Sequence, residues 1–271
     1  MNDNTLRNSA LNRVLEADGV RHLRLLAGTI VVAAFVLGSF YITGLLDPQR
    51  LAEGGPALAT IAGEMFPPDF ARWNRWVSPL ADTLAMSIGG TVLAISLSFP
   101  LAFLAANTTA PNRMVYQSAR MTLNALRAIP ELIMGIIFVA AVGFGALPGV
   151  LALGLHSVGM VGKFFAEAIE HVDPRPIEAA RAAGATEFQV VWRAILPQVL
   201  PQMADTTIYR WEYNFRASTV MGAVGAGGIG TELMGSLRLM DYQQVSAILL
   251  CILVCVTAVD AIGSVLRRKL V

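Results

Sequence analysis

Long stretches without a charged side chain constrain this sequence more than any other feature. Residues 25–46, 83–112 and 132–162 contain no Asp, Glu, Lys or Arg. A helix that crosses a bilayer needs about 20 predominantly apolar residues, so the first stretch predicts one membrane-spanning helix. The third stretch is too long for one crossing, and glycine and proline interrupt it between Gly143 and Gly149. It therefore predicts two membrane helices joined as a hairpin.

The composition supports the same class of protein. Hydrophobic residues make up 55% of the sequence and charged residues only 14%, and the mean hydropathy is +0.59, outside the range of ordinary globular domains. The first apolar stretch begins too late and is too long for a secretory signal peptide. We predict an all-α integral membrane protein with about six transmembrane helices, at residues 24–46, 80–106, 122–144, 147–165, 203–222 and 244–266.

Basic residues assign an orientation to these helices, because cytoplasmic loops carry an excess of Lys and Arg. With six crossings, both ends of the chain and the loops after the second and fourth helices lie on one side. These segments contain Arg7, Arg13, Arg21, Arg24, Arg113, Arg120, Arg175, Arg181, Arg193, Arg267, Arg268 and Lys269. The basic residues on the opposite side are offset by acidic ones. Both termini are therefore expected in the cytoplasm.

The same pattern divides the chain into three parts. Residues 1–23 are expected to form a cytoplasmic N-terminal segment, and residues 24–79 the first transmembrane helix plus a periplasmic segment. Residues 80–271 are expected to form the core, with a cytoplasmic loop at about 166–201. The periplasmic segment contains Trp73 and Trp76, whose rings suit a membrane–water interface, so we expect it to lie along the outer surface.

The loop between the fourth and fifth predicted helices has the composition of a short, rigid helix. Pro174 and Pro176 fix their own φ and disfavour helix in the preceding residues. Residues 177–183 have high helix propensity, and Gly184 is suited to end a helix in the left-handed conformation. An ordinary amphipathic surface helix would have the same residue chemistry. A rigid helix at this place could instead transmit force from another protein.

The spacing within this loop resembles the EAA loop of bacterial ABC importer permeases. In that pattern Glu-Ala-Ala is followed by three residues, Gly, nine residues and Ile-x-Leu-Pro. The matching positions are Glu178, Ala179, Ala180, Gly184, Leu196 and Pro197, whereas Ala194 stands at the usual Ile position. The resemblance implies a coupling helix that docks on an ATPase subunit. By this resemblance, Glu178 and Arg181 would form polar contacts with the ATPase subunit. The small side chains of Ala179 and Ala180 would allow a close approach, and Gly184 would form the turn.

Further stretches resemble the phosphonate/phosphite-type branch of these permeases. They are residues 127–131 (Arg-Ala-Ile-Pro-Glu), 155–163 (Leu-His-Ser-Val-Gly-Met-Val-Gly-Lys) and 210–216 (Arg-Trp-Glu-Tyr-Asn-Phe-Arg), with the glycine-rich residues 225–230. The likeness covers about residues 80–270 and implies a type I importer permease fold. It also implies three protein partners, a second copy of the chain, an ATPase dimer and a periplasmic solute-binding protein, with the chain itself embedded in the lipid bilayer. No nucleic acid partner is expected.

Two glycine motifs bear on cofactors. The sequence lacks the Gly-x-x-x-x-Gly-Lys-Ser/Thr loop that holds the phosphates of ATP, so ATP and magnesium are expected on the partner ATPase and this chain is not expected to be an enzyme. Residues 225–230 satisfy Gly-x-Gly-x-x-Gly, but the βαβ context of a dinucleotide site is missing. A glycine-rich break at the end of a membrane helix explains them better. No metal site is expected.

Polar residues within the fifth predicted helix suggest a translocation path. Arg210, Glu212, Asn214, Arg216 and Ser218 lie within one helix, and ionisable residues at membrane depth should face protein or a water-filled path. The two arginines exceed the glutamate by one positive charge. Because a guanidinium offers a planar fork of donors, such a lining suits the transient passage of a phosphorus oxyanion.

Other charges in the predicted helices are interpreted as structural. Arg127 and Glu131 are spaced four residues apart, as are Glu212 and Arg216, so each couple can form an ion pair on one helix. We interpret the Arg127–Glu131 pair as structural. His156 is interpreted as a hydrogen-bonding packing residue.

The sequence therefore predicts the permease subunit of an ATP-binding-cassette importer for a phosphorus oxyanion, phosphonate or phosphite, in the bacterial inner membrane. A permease for another small solute such as methionine shares the EAA loop and is the nearest alternative. An ion-coupled secondary transporter would need inverted repeats with broken helices, which the sequence does not suggest. A membrane-embedded enzyme would need a convergent group of catalytic side chains.

Overall fold

The computed structural model describes residues 3–270 and the side chains of residues 21, 22 and 24–270. The predicted N-terminal segment 1–23 includes residues 1 and 2, which lie outside the described residues, as do the side chains of Arg7 and Arg13. Eleven helices are described: α1 (Asp3–Thr43), α2 (Pro48–Glu64), α3 (Val77–Ala105), α4 (Arg113–Ala128), α5 (Glu131–Val142), α6 (Ala146–Glu170), α7 (Pro174–Ala182), α8 (Glu187–Val190), α9 (Leu196–Met221), α10 (Ile229–Arg238) and α11 (Tyr242–Leu270). Residues 3–270 contain no strand, so the all-α prediction is confirmed.

The chain divides between Gly63 and Glu64 into two compact units. The first unit contains α1 and α2, and the second contains α3 to α11. The sequence analysis did not predict α2, which occupies the segment expected to lie on the outer surface. Within the first unit, the Asp47 carboxylate accepts hydrogen bonds from the backbone of Gln49 and Arg50 and so caps the beginning of α2.

Four helical stretches are long and apolar enough to cross a membrane. They are Arg24–Thr43, Trp73–Ala105, Ala146–Glu170 and Tyr242–Leu270. The pair α4 and α5 would add a fifth crossing, but its two helices are bent by 85°. The membrane helix predicted at 122–144 is therefore broken, because α4 ends at Ala128 and α5 begins at Glu131. Pro130 lacks an N–H and disfavours helix at Ile129, which is extended with φ −90° and ψ 120°.

The fifth predicted membrane helix, residues 203–222, corresponds to α9. This helix has 26 residues but is not among the stretches that are apolar enough to cross a membrane by composition. The charged residues of α9 make it less apolar than the other four stretches. Two of them, Arg210 and Glu212, are buried inside the protein. Length and composition thus support four crossings, or five with the bent pair, compared with the six predicted.

The packing of α3 against α6 is the most extensive between any two described helices, and α9 packs against both. The largest cluster of buried apolar residues lies among α3, α4, α6 and the loop that follows α6, and includes Leu123, Phe165 and Ile169. Gly159 permits the close approach of α4, because a Cβ atom there would lie 2.6 Å from the carbonyl oxygen of Leu123. The hairpin break predicted between Gly143 and Gly149 is present but shorter, since α5 ends at Val142 and α6 already begins at Ala146.

The glycine-rich segment forms the break predicted at the end of α9. Gly225, Gly227 and Gly228 have positive φ, and α10 begins at Ile229. The N–H of Ile229 donates to Thr83 Oγ1 at 2.8 Å, and Ser218 Oγ donates to the Thr83 carbonyl oxygen at 3.1 Å. Both contacts hold the break against α3.

Candidate functional site

The loop that follows α6 begins with the short helix α7. The Asp173 carboxylate accepts a hydrogen bond from the Arg175 N–H at 3.0 Å and caps the helix. The sequence predicts that the helix begins after Pro176, whereas it begins at Pro174. Proline is tolerated in the first helical turn because the N–H groups of that turn have no partner within the helix. The two prolines therefore belong to α7 and preorganise its first turn.

The C-terminal end of α7 is closed by Gly184. The φ of Gly184 is +82°. The Gly184 N–H donates to the Arg181 carbonyl oxygen at 2.9 Å, and the Ala185 N–H donates to the Ala180 carbonyl oxygen at 3.1 Å. These two bonds form a Schellman motif. A glycine adopts this left-handed conformation without the strain that a Cβ atom would cause. The turn expected at Gly184 is therefore present.

The α7 helix exposes the two residues at the centre of the predicted coupling motif. Glu178 and Ala179 are exposed, Ala180 is half-buried, and Ile177 is buried in the core cluster. An exposed acid beside a small side chain lets another protein approach the helix closely, while the buried isoleucine anchors the helix to the rest of the chain. Leu196 is buried and Pro197 is exposed in the first turn of α9.

Arg181 makes an ion pair within the chain. Its Nε donates to Glu187 Oε1 at 3.0 Å and its Nη2 to Oε2 at 2.9 Å, so α7 and α8 are joined by a two-pronged contact. The hydrogen bonds from Arg181 lower the pKa of the Glu187 carboxyl, and the same bonds raise the pKa of Arg181. The resemblance to the EAA loop implies that Arg181 contacts another subunit, and the pairing with Glu187 was not predicted from the sequence.

Two exposed aromatic residues follow on the same loop. Phe188 and Trp192 are 76% and 59% exposed, and their rings stack with centroids 6.4 Å apart. A half-open groove of about 530 Å³ lies beside Phe188, between this loop and the connection from α3 to α4. Large exposed apolar side chains beside a groove are typical of protein–protein contact surfaces. The spacing of four residues between the aromatics was a signal that the sequence analysis overlooked.

A charged clamp lies beside this loop and was also missed. Arg120 Nη2 donates to both carboxylate oxygens of Glu170, at 2.8 and 2.9 Å, and Arg120 Nε donates to the Ala105 carbonyl oxygen at 2.8 Å. Glu170 Oε1 also accepts the Asn107 N–H at 2.7 Å. The clamp joins the ends of α3 and α6 to α4, four residues before α7 begins at Pro174. It thus sets the position from which the loop emerges.

Four of the five residues predicted to line a path are buried within the chain. Arg210, Glu212, Asn214 and Ser218 are between 0% and 6% exposed, whereas the Arg216 side chain is 44% exposed. Burial of the first four differs from the exposure that a water-filled path requires. In this conformation they pack among helices of one subunit.

The buried residues form a polar ladder across three helices. Asn214 Nδ2 donates to Thr91 Oγ1 of α3 at 2.9 Å, and Ser157 Oγ of α6 donates to Asn214 Oδ1 at 3.0 Å. Arg210 Nε then donates to Ser157 Oγ at 2.8 Å. Hydrogen bonds between neighbouring helices satisfy polar groups that would be costly to bury alone. The ladder therefore fixes α9 against α3 and α6.

The Arg127–Glu131 pair predicted on one helix is corrected by the structure. The two residues lie on different helices, α4 and α5, which are bent by 85°. Glu131 Oε2 lies 3.2 Å from His156 Nε2, and Glu131 Oε1 accepts a hydrogen bond from the Tyr213 hydroxyl at 2.8 Å. Its partners come from α6 and α9, which local spacing could not predict.

The Glu212–Arg216 pair is corrected in the same way. Arg267 Nη2 donates to Glu212 Oε2 at 2.5 Å, and Arg216 Nη1 lies 2.9 Å from Asp260 Oδ1. Arg267 also pairs with Asp205 at 3.2 Å. Each of these contacts joins α9 to α11. The charged residues of these pairs in α9 thus form ion pairs with a neighbouring helix instead of with each other.

Among the described side chains, those of residues 21, 22 and 24–270, no group of three or more His, Cys, Asp or Glu could hold a metal ion. Cys251 and Cys255 are free thiols and half-buried.

Comparison with known proteins assigns the chain to a family. Residues 98–271 match the model of the family described as binding-protein-dependent transport system inner membrane component. The chain belongs to this family. It is the permease subunit of an ABC importer and an inner membrane protein, as the sequence predicted.

Relatives and solved structures agree with the assignment. The permease is 64% identical over 255 residues to the phosphite transport system permease protein PtxC of Stutzerimonas stutzeri, covering 94% of this chain and 93% of PtxC. It is 41% identical over 223 residues to the phosphate-import permease protein PhnE of Mycolicibacterium smegmatis, covering 82% of this chain and 42% of PhnE. A permease chain of the inward-facing MetNI methionine ABC transporter superposes with a TM-score of 0.66 at 21% identity, covering 75% of this chain and 99% of that one. The expected type I permease fold is confirmed.

Proposed function

We propose that this permease carries a phosphorus oxyanion, phosphite or a phosphonate, across the inner membrane. The observation that carries the proposal is the 64% identity to the PtxC phosphite permease over nearly the whole of both chains. Methionine was the alternative substrate that the shared EAA pattern left open. The likeness to MetNI at 21% identity supports the fold alone and does not favour methionine.

The driving force is proposed to come from a separate ATPase dimer. The sequence contains no phosphate-binding loop of the Gly-x-x-x-x-Gly-Lys-Ser/Thr type, which supports the proposal that ATP and magnesium bind to the partner. We propose that this chain acts as a translocation subunit without a cofactor of its own. Closure of the ATPase dimer would push α7. Because Ile177 anchors α7 in the core and Gly184 turns the chain sharply after it, the displacement would reach α6 and α9.

Two further partners complete the proposed transporter. A second copy of the permease would provide the other half of the translocation path, because oligomers of identical chains are usually symmetric. A periplasmic solute-binding protein would deliver the substrate, and the family description names a binding-protein-dependent system. Both partners are inferred from the family and not from contacts within this chain.

The proposed topology has six crossings and both termini in the cytoplasm. The helix α9 would be the sixth crossing, because 26 residues extend about 39 Å as an α-helix. Its charged side chains do not argue against insertion. Arg210 and Glu212 are buried against protein, and Arg216 is paired with Asp260, so none of them needs to face lipid unpaired.

Among the five residues proposed for the path, Arg216 is the first candidate because its side chain is exposed beside Asp260. Arg210, Glu212, Asn214 and Ser218 would join the path only in a conformation in which α9 separates from α3 and α6. Alternating access by relative movement of helices would provide such a conformation.

Uptake measurements test the proposed function. Cells that lack this gene are rescued with the wild type, with Gly184→Arg, or with Gly55→Arg as a matched control at an exposed glycine with open space around it. We expect uptake of labelled phosphite or methylphosphonate with the wild type and the control, and loss of uptake with Gly184→Arg at equal protein level. Absence of uptake of both compounds with the wild type would refute the substrate class. Full rescue by Gly184→Arg would refute coupling through α7.

A further inference from the structure

A cluster of four side chains lies between α5, α6 and α9 and contains a buried donor without a partner. The Arg210 cluster consists of Glu131, His156, Arg210 and Tyr213. Arg210 is 4% exposed, and its Nη2 has no hydrogen-bond partner among the described residues. A buried donor on a charged group is costly unless an acceptor reaches it. The Nη2 atom therefore marks a place at which a ligand would be stabilised.

The carboxylate of Glu131 is held by partners other than Arg210. Its Oε2 lies 3.2 Å from His156 Nε2, and its Oε1 accepts a hydrogen bond from the Tyr213 hydroxyl at 2.8 Å. His156 Nδ1 lies 3.0 Å from the Ile129 carbonyl oxygen, so the ring is held from both of its nitrogen atoms.

The guanidinium of Arg210 makes no ion pair with a carboxylate among the described residues. Its Nε donates to the uncharged Ser157 hydroxyl at 2.8 Å, and its Nη2 has no partner among those residues. A buried guanidinium with a free, planar donor is suited to bind a compact oxyanion.

Tyr213 packs against the guanidinium of Arg210 in the present conformation. The guanidinium carbon of Arg210 lies 4.2 Å from the centre of the Tyr213 ring, a favourable cation–π distance. The Tyr213 hydroxyl donates to Glu131 Oε1 at 2.8 Å, which holds the ring in place from α5. Glu131 is the first residue of α5 and follows the bend at Pro130. A change in this bend would break the hydrogen bond and release the ring.

We propose that Arg210 is the floor of an occluded site for a small tetrahedral oxyanion, and that Tyr213 is its lid. The bond from Tyr213 to Glu131 keeps the lid closed, and separation of α5 from α9 opens it. The ligand class, phosphite or inorganic phosphate, rests on the proposed function. Binding to the permease itself is nevertheless measurable without transport.

Binding of phosphite to the purified full-length permease in lipid nanodiscs tests the site. Tyr213→Phe retains the ring over Arg210 and removes the bond to Glu131, so the open state becomes more populated. We expect Tyr213→Phe to bind sodium phosphite about tenfold more tightly than the wild type, as measured by phosphorus NMR titration. Adding Arg210→Gln to Tyr213→Phe should abolish this binding, whereas Arg113→Gln, at an exposed arginine that begins α4, should not.

Folding and transport are controlled separately. If the Arg210→Gln protein is not monodisperse, Arg210→Lys replaces it, because lysine retains the charge and loses the planar fork; at least about tenfold weaker binding is expected. Equal phosphite binding by Tyr213→Phe with and without the Arg210 substitution would overturn the site, as would no gain from Tyr213→Phe. If wild-type cells import phosphite but binding does not depend on Arg210, only this inference fails. If the wild type imports neither phosphite nor methylphosphonate, the proposed function fails, and binding of inorganic phosphate still decides the site.

Discussion

The carboxylate of Glu187 accepts two hydrogen bonds from the guanidinium of Arg181, at 3.0 and 2.9 Å. This contact joins the last turn of α7 to the first turn of α8 across the turn at Gly184. A helix that has to transmit force benefits from such a brace. The brace would let α7 and α8 move as one body.

Substitution of Glu187 by Gln should impair coupling more than stability. An exposed ion pair contributes little to the free energy of unfolding, so the midpoint of thermal unfolding should hardly change. ATP-dependent uptake should fall because α7 can then move without α8. Uptake is measured at matched protein levels, and the exchanged pair Arg181→Glu with Glu187→Arg should recover part of it. Unchanged uptake with Glu187→Gln would argue against the brace.

The pH dependence of this pair has a defined direction. The pKa of Glu187 is lowered in the folded chain by its hydrogen bonds with Arg181, so the stabilisation is fully present above the ordinary glutamate pKa of about 4.3. It is lost as the pH falls through the lowered value. The small difference in unfolding temperature between wild type and Glu187→Gln should therefore be constant across neutral pH and disappear in acid. A difference that grew in acid would contradict this assignment.

Substitution of Gly184 by Ala should destabilise the end of α7. The φ of +82° is unfavourable for any residue with a Cβ atom, although no neighbouring atom lies within 4 Å, and we expect a loss of about 1 kcal/mol. Gly235→Ala is the matched control. Gly235 also has open space but lies within the helix α10, where alanine should stabilise. Thermal unfolding of the two variants should change in opposite directions.

Removal of one member of the Arg120–Glu170 clamp should leave the other charge partly buried and unpaired. The two side chains are 26% and 22% exposed, so we expect Arg120→Ala to cost about 1–2 kcal/mol after allowance for screening by solvent. Arg120→Lys should not restore the loss, because lysine lacks the planar fork. A double-mutant cycle with Glu170→Ala measures the coupling, and additive losses would show that the clamp contributes nothing.

Substitution of Gly159 by Ala should disrupt the packing of α4 on α6. The added Cβ atom would lie 2.6 Å from the Leu123 carbonyl oxygen and 2.8 Å from the Arg127 backbone nitrogen, and backbone cannot move aside as a side chain can. We expect a loss of about 1–3 kcal/mol. Gly89→Ala serves as the comparison, because its Cβ would meet only the Val150 side chain at 3.3 Å. Similar stability of both variants would contradict the close approach.

Local sequence features predicted the local structures well. The charge-free stretches anticipated α3 and α6, the glycines between residues 143 and 149 anticipated the hairpin break, and Gly184 anticipated the end of α7. These features act over a few residues, through helix propensity, steric limits on φ and the need to keep charges out of lipid. The family could be recognised for the same reason, because the EAA loop is one continuous stretch.

The partners of the charged side chains were not predictable in this way. Glu131 was expected to pair with Arg127 four residues earlier, and its partners are His156 and Tyr213 from two other helices. The bend at Pro130 separates the expected pair. Likewise, the partner of Arg181 lies six residues away, beyond the turn that Gly184 makes.

The sequence by itself therefore determined that this protein is helical and resides in a membrane, because those properties follow from the order of apolar and polar residues along the chain. It also contains the EAA pattern of importer permeases, from which a coupling role of the loop is predicted. Only the tertiary structure decided which face of α9 is buried, which acid neutralises which base, and that Arg210 retains a buried donor without a partner among the described residues. A side chain's partner is set by how helices pack, and contacts between helices join residues far apart in sequence.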